Sequence, residues 1–350
     1  MLQRAFASTL AVVLAGAAWA APAPQPQAPR DVLDRPALMS ALAARSLVNG
    51  LTLAGDRVVA VGQRGQVLLS DDHGKTWQQG NVPVSSDLAA VSFPTAENGW
   101  AVGHDGVVLA SGDGGRTWTR QLDGRTMGDV MVKYYTASGD AKWLAEAKRI
   151  AAQGAENPLL DVWFDDAKNG TVVGAFGLVL RTADGGKTWE PLLHMTDNPK
   201  ALHLYAVRRV GADLYIAGEQ GLLLKLDRNS GRFVAQSIPY QGTLFGVLGN
   251  EHVVLAFGLR GNVVRSTDGG RSWQAVATGI QVGLTAGTID ERGRIVLVSQ
   301  AGHVLVSGDD GATFTPLKIE RAQPAAAVTR AGAGMLVLGG PRGLQTVSGA

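Results

Sequence analysis

The 350-residue chain contains no cysteine. That absence removes disulfides, thiolate nucleophiles, iron–sulfur clusters, cysteine-based zinc sites and lipid attachment at a lipoprotein cysteine. An excess of one charge is lacking too. Thirty-two Lys and Arg stand against 30 Asp and Glu, a formal +2, so the chain as a whole is no nucleic-acid binder. Six histidines (73, 104, 194, 203, 252 and 303) show no metal-ligand spacing, and no Gly-x-Ser-x-Gly elbow occurs. Asp71-Asp72 lacks the later ligands and closing Glu of a calcium loop. The sequence thus points to no metal, no cofactor and no catalytic residue.

Long apolar runs are confined to the start. Residues 1–20 carry Arg4, an apolar stretch and a terminal Ala18-Trp19-Ala20, the pattern of a secretory signal cleaved near Ala20. Residues 21–29, APAPQPQAP, read as an extended tether. The remainder is expected to be a soluble, monomeric, periplasmic domain. With 45% hydrophobic residues it can bury a sizeable core.

What the chain has in quantity is glycine, 46 residues, and it recurs on a period. A Gly-x-x-Gly step such as Gly62-Gln63-Arg64-Gly65, with Ser299 replacing the first glycine in one copy, ends at glycines 65, 106, 177, 221, 261, 302 and 343, spaced by 41, 71, 44, 40, 41 and 41. A leucine column at 47, 88, 159, 204, 244 and 284 keeps the same count, with Ala325 in the seventh place. Between glycine and the next aromatic lies Ser/Thr-x-Asp-x-Gly-x-Ser/Thr-Trp, the Asp-box. Its Asp and aromatic positions are Asp72 and Trp77, Asp113 and Trp118, Asp184 and Trp189, Asp268 and Trp273, and Asp309 and Phe314, with a degraded copy around Asp227. The carboxylate can accept backbone N–H bonds across the turn, and glycine supplies positive φ. These aspartates read as structural.

Each unit reads as four short strands, the middle two apolar throughout, as in sheets covered on both faces. The fold expected is all-β: a seven-bladed β-propeller over 46–350, with an insertion at 122–157 between the second and third blades. The seventh unit has three strands. Asp34-Arg35-Pro36-Ala37-Leu38-Met39, in the 21–45 segment, is expected to supply its fourth and close the ring, although residues 41–45 equally suit a helical turn. In the insertion Trp143, Ala147, Ile150 and Ala151 recur at helical spacing, with Asp140 as N-cap and Gly154 as stop.

Propeller topology gathers the Gly-x-x-Gly loops on one face, with Arg64, Asp105 and Phe176 at the first three tips and Gln220, Arg260, Ala301 and Arg342 at the others. Arg64, Arg260 and Arg342, joined by Asp105 and by Lys142, Lys148 and Arg149 of the insertion, form the expected partner-binding surface, since guanidinium groups grip carboxylates and phosphates. Solvated turn arginines are the plainer reading of the same residues. The insertion fits a docking element or simple packing on the blades.

The repeated Val-Gly-x-x-Gly-x-Val-Leu-x-Ser-x-Asp-x-Gly-x-Thr-Trp resembles the photosystem II stability/assembly factor family and its bacterial relatives, over roughly residues 46–350. The resemblance implies a non-enzymatic scaffold that holds a membrane-protein partner or its assembly intermediate on one face, where family members carry an arginine patch. Arg64, Arg260 and Arg342 match that patch. This chain departs from the family in lacking a lipoprotein cysteine. Asp-boxes also occur in sialidase-type glycosidases, which look six-bladed and need a Tyr/Glu pair and an arginine triad in the channel; a carbohydrate-binding Asp-box propeller is a further alternative.

Overall fold

The computed structural model describes residues 30–349. The expected signal and the tether lie outside them. Seven antiparallel sheets follow one another, six of four strands and a last one of three. The first sets the pattern with β1 (Val48–Ala54), β2 (Arg57–Gly62), β3 (Val67–Ser70) and β4 (Gln78–Gln79), hydrogen-bonded in that order. The first strand of each sheet packs on that of the next, and the seventh sheet's (Ala327–Arg330) packs on β1, so the sheets form a ring.

The core lies between sheets. Val59, Val61 and Val67 of sheet 1 share one buried cluster with Val91, Ala101 and Leu109 of sheet 2. Middle strands covered on both sides need apolar residues at every position, which is why their sequence does not alternate.

Among the described residues no N-terminal strand completes sheet 7. Residues 34–39 instead run as a strap: Ala37 N–H donates to the Val82 carbonyl at 3.0 Å and Gln79 Nε2 to the Leu38 carbonyl at 2.9 Å. Val32–Asp34 and Ala43–Arg45 are single 3-10 turns. The strap's backbone is thus bonded to the link between sheets 1 and 2 and to a side chain of β4, and Pro36 has no N–H to donate to a ladder. Packing of seven inner strands closes the ring without it.

The insertion holds two helices where one was expected, α1 (Gly124–Ser138) and α2 (Ala141–Gln153), packed on each other. Asp140 does cap α2, accepting from Trp143 N–H at 3.1 Å. In α1, Met127, Met131 and Tyr135 are buried four residues apart against Ala147 and Ile150. A Cβ on Gly128 would sit 2.4 Å from the Ala151 Cα, so only glycine permits this approach.

The five Asp-box turns share one hydrogen-bond set. In the first, Ser70 Oγ and Thr76 N–H each donate to Asp72 Oδ1 at 2.8 Å, and Thr76 Oγ1 donates to Oδ2 at 2.6 Å. The hydroxyl bond recurs at 2.6 Å on Asp113, Asp184, Asp268 and Asp309. Bonds that favour the charged form pull these carboxyls down, Asp184 to about 2, with the Thr188 hydroxyl as its main cause. A depressed folded-state pKa stabilises above the unfolded carboxylate value of about 4 and is lost as pH falls through the folded value. Urea midpoints should therefore hold from neutrality to about pH 4 and drop steeply toward pH 2; a flat profile over that window would disprove the role.

Candidate partner-binding face

Antiparallel order places the hairpins between second and third strands, and the links between sheets, on one face. At five hairpin tips two successive residues are left-handed: Arg64-Gly65 (φ 54° and 72°), Asp105-Gly106 (59° and 64°), Phe176-Gly177 (54° and 73°), Gln220-Gly221 (54° and 75°) and Arg260-Gly261 (57° and 73°). These are type I′ turns, whose preferred first residue is Asn or Gly. Other side chains pay roughly 1–2 kcal/mol there. The last two hairpins differ, since only Gly302 and Gly343 are left-handed (φ 87° and 90°), and Ala301 and Arg342 are relaxed.

Arg64, Arg260 and Arg342 are all exposed. Among the described residues no carboxylate pairs with any of their guanidinium groups. The Arg64 backbone is held from the next sheet, its N–H donating to Asp87 Oδ1 at 2.7 Å. Arg64 and Arg342 sit on adjacent sheets, either side of the seam where the ring closes, and Arg260 stands on sheet 5. Asp105 is half-buried where its loop meets the start of α1.

The insertion adds a second element. A groove of about 860 Å³ runs between α2 and the link from sheet 3 to sheet 4, lined by Lys142, Trp143, Arg149, Phe176, His194 and Arg232 among others. Lys142 and Arg149 thus meet in one place, while Lys148 is exposed outside the lining. Arg149 is tied to Glu146 at 2.6 Å and Arg232 to Asp197 at 3.4 Å, whereas Lys142 Nζ lies 5.0 Å over the Trp143 ring. Trp143 stacks on Tyr135 at 6.2 Å, helix on helix. Burial pushes the His194 imidazole below its usual pKa and raises the Tyr135 hydroxyl that contacts it at 3.1 Å.

The channel mouth is built by a repeated bulge. In each of the first six sheets one residue of the inner strand is skipped in the register: Asn49, Ala89, Leu160, Tyr205, Phe245 and Thr285. All six line the channel. A bulge re-aims a side chain, here into the axis. In the first five of these sheets a glycine before the tip lets the strands approach, since a Cβ on Gly62 would lie 2.0 Å from the Leu47 carbonyl oxygen, whereas the sixth has Ser299 at that place. Phe176, His203, Tyr205 and Phe245 form an aromatic path from the groove to the channel, with centroid separations of 4.8, 6.4 and 5.4 Å. Sequence reading missed this path, although Tyr205 and Phe245 each follow the leucine column by one residue. Below it Asp161, buried, accepts from Val207 N–H at 2.8 Å and from Arg208. Burial drives its carboxyl above the usual range against the pull of Arg208.

A tyrosine and a glutamate do meet, but outside the channel: Tyr134 Oη donates to Glu190 Oε1 at 3.0 Å between α1 and sheet 3. Among the described residues no cluster of His, Asp and Glu could hold a metal.

The family model described as photosynthesis system II assembly factor YCF48 matches residues 69–151 and 141–320. The photosystem II assembly lipoprotein Ycf48 of Synechococcus sp. (strain CC9902) is 29% identical over 191 residues. That match covers 53% of this chain and 55% of the relative, so the chain spans about half of that protein's length. A solved structure of YCF48 bound to D1 peptide superposes with a TM-score of 0.64 at 15% identity, covering 87% of this chain and 93% of that one. YCF48 from Cyanidioschyzon merolae gives 0.64 at 16% identity, covering 87% and 96%. At those identities the likeness to the two structures shows the fold.

Proposed function

Because the chain belongs to the photosynthesis system II assembly factor YCF48 family, we propose that it is a non-enzymatic assembly factor of the periplasm that holds a segment of a membrane protein on its hairpin-tip face. The observation that carries this reading is the trio of exposed, unpaired arginines at those tips. Two of them, Arg64 and Arg260, occupy left-handed positions where asparagine would be more stable. A side chain kept at a strained site and left without an internal partner is available to an external one. The structure described as bound to D1 peptide supports a peptide as the class of ligand.

Affinity capture from native membranes, read by mass spectrometry, tests it. Arg64→Glu with Arg342→Glu should abolish recovery of the partner while leaving the thermal melt unchanged. Arg64→Asn with Arg260→Asn removes two charges and improves two turns. It should weaken capture while raising stability by up to about 2 kcal/mol, so loss of binding cannot be ascribed to unfolding. Undiminished capture by both double variants would reject the reading.

A further inference from the structure

The strap that fails to close the ring carries an unusual surface. Of six large apolar side chains exposed in the described chain, the three most exposed are Leu38 (71%), Leu42 (61%) and Met39 (57%), within five residues of one another. Their backbone is anchored. Ser40 N–H donates to Gln79 Oε1 at 3.1 Å and Leu42 N–H to Ser40 Oγ at 3.1 Å, while Ala43 beneath is buried. The apolar side chains are therefore held outward on a fixed segment.

The strap's two ends locate this patch. A Cβ on Gly65 would lie 3.3 Å from the Ala37 Cβ, and one on Gly343 would lie 2.2 Å from the Ala44 carbonyl oxygen. Residues 38–42 therefore arch from the foot of the Arg64 hairpin to the foot of the Arg342 hairpin. Arg45 is exposed at the far end, and like Arg64 and Arg342 it has no carboxylate partner among the described residues. The strap's own acids are both paired, Asp31 and Asp34 with Arg125 at 2.8 and 3.0 Å and Asp34 also with Arg120 at 3.8 Å. The patch is apolar at its centre and cationic at its rim.

Apolar residues ringed by arginines suit the boundary between acyl chains and anionic headgroups. The Synechococcus relative carries the name lipoprotein, whereas this chain has no cysteine to acylate. We propose that Leu38, Met39 and Leu42 dip into an anionic bilayer while Arg45, Arg64 and Arg342 contact its headgroups. The strap thereby seats the hairpin-tip face on the membrane without a covalent lipid.

Flotation with protein-free vesicles tests this. The chain from residue 21 onward, still including the strap, should float with phosphatidylglycerol vesicles at low salt. It should float at least tenfold less with pure phosphatidylcholine or at about 0.5 M salt. Leu38→Asp with Leu42→Asp should cut binding at least tenfold with an unchanged melt, since both side chains are exposed. The cysteine-free background permits a second reading: Leu42→Cys labelled with an environment-sensitive dye should shift to the blue on anionic vesicles. Wild-type protein that stays in solution, equal flotation of the double variant, or an unshifted dye would overturn the proposal. If the double variant instead loses a detergent-solubilised partner while wild type ignores vesicles, the patch docks protein and the lipid assignment falls. Because the vesicles contain no protein, failure of partner capture leaves this result standing.

Discussion

Arg208→Ala is expected to cost about 3–5 kcal/mol of folding stability, seen as a lower urea midpoint at unchanged m. The reason is what it leaves behind. Asp161, whose side chain is 4% exposed, sits beside the channel with two partners, the Val207 N–H and the Arg208 guanidinium. Without Arg208 the carboxylate keeps one bond in a place that water reaches poorly, and it protonates at higher pH. A carboxyl raised above the unfolded value of about 4 destabilises only once the unfolded chain can ionise. The deficit of the variant should therefore be smallest near pH 4 and grow toward neutrality until the folded carboxyl also ionises. Replacing both partners, Asp161→Val with Arg208→Leu, should recover most of the loss, because it removes the orphaned charge along with the pair. A pH-independent deficit would show that Arg208 acts through packing on Trp163, whose ring lies 5.7 Å from its guanidinium.

Trp100→Ala should be similarly severe, about 3–5 kcal/mol. Trp100 is 3% exposed and lies parallel to Phe164 of sheet 3 at a centroid separation of 3.6 Å. Its Nε1–H faces Gln121 Oε1 at 3.2 Å and the Gly185 carbonyl at 3.3 Å. One side chain thus joins two sheets through a stacked ring and a polar tip, and the same cluster carries Met127, Met131 and Ile150 of the insertion. Truncation opens a cavity that the flanking sheets cannot close without moving the helices. Trp100→Phe should lose much less, since the ring remains and only the N–H goes. Comparable melts for the alanine and phenylalanine variants would place the stabilisation elsewhere.

Local and repeated features were legible in the chain alone. Six Gly-x-x-Gly steps and one Ser-x-x-Gly step matched seven sheets because a tight hairpin needs its second glycine whatever surrounds it. The Ser/Thr-x-Asp-x-Gly-x-Ser/Thr turns bond within themselves over four residues, so their geometry is written in their own spacing. Asp140 and Gly154 marked α2 by the same local logic. The helix α1 was also present as a four-residue stripe of Met127, Met131 and Tyr135, yet glycines at 124 and 128 masked it. Those glycines serve the packing against Ala155 and Ala151, which no window of sequence displays.

The sequence by itself determined the number of sheets, their strand order and which hairpin tips carry arginine, because each depends on contacts between near neighbours along the chain. Tertiary structure alone decided where the strap lies, that Asp161 meets Arg208 across 47 residues, and that aromatic residues from sheets 3, 4 and 5 line up into one path. Those arrangements arise between sheets, where a residue's neighbours are set by the closing of the ring rather than by its place in the repeat.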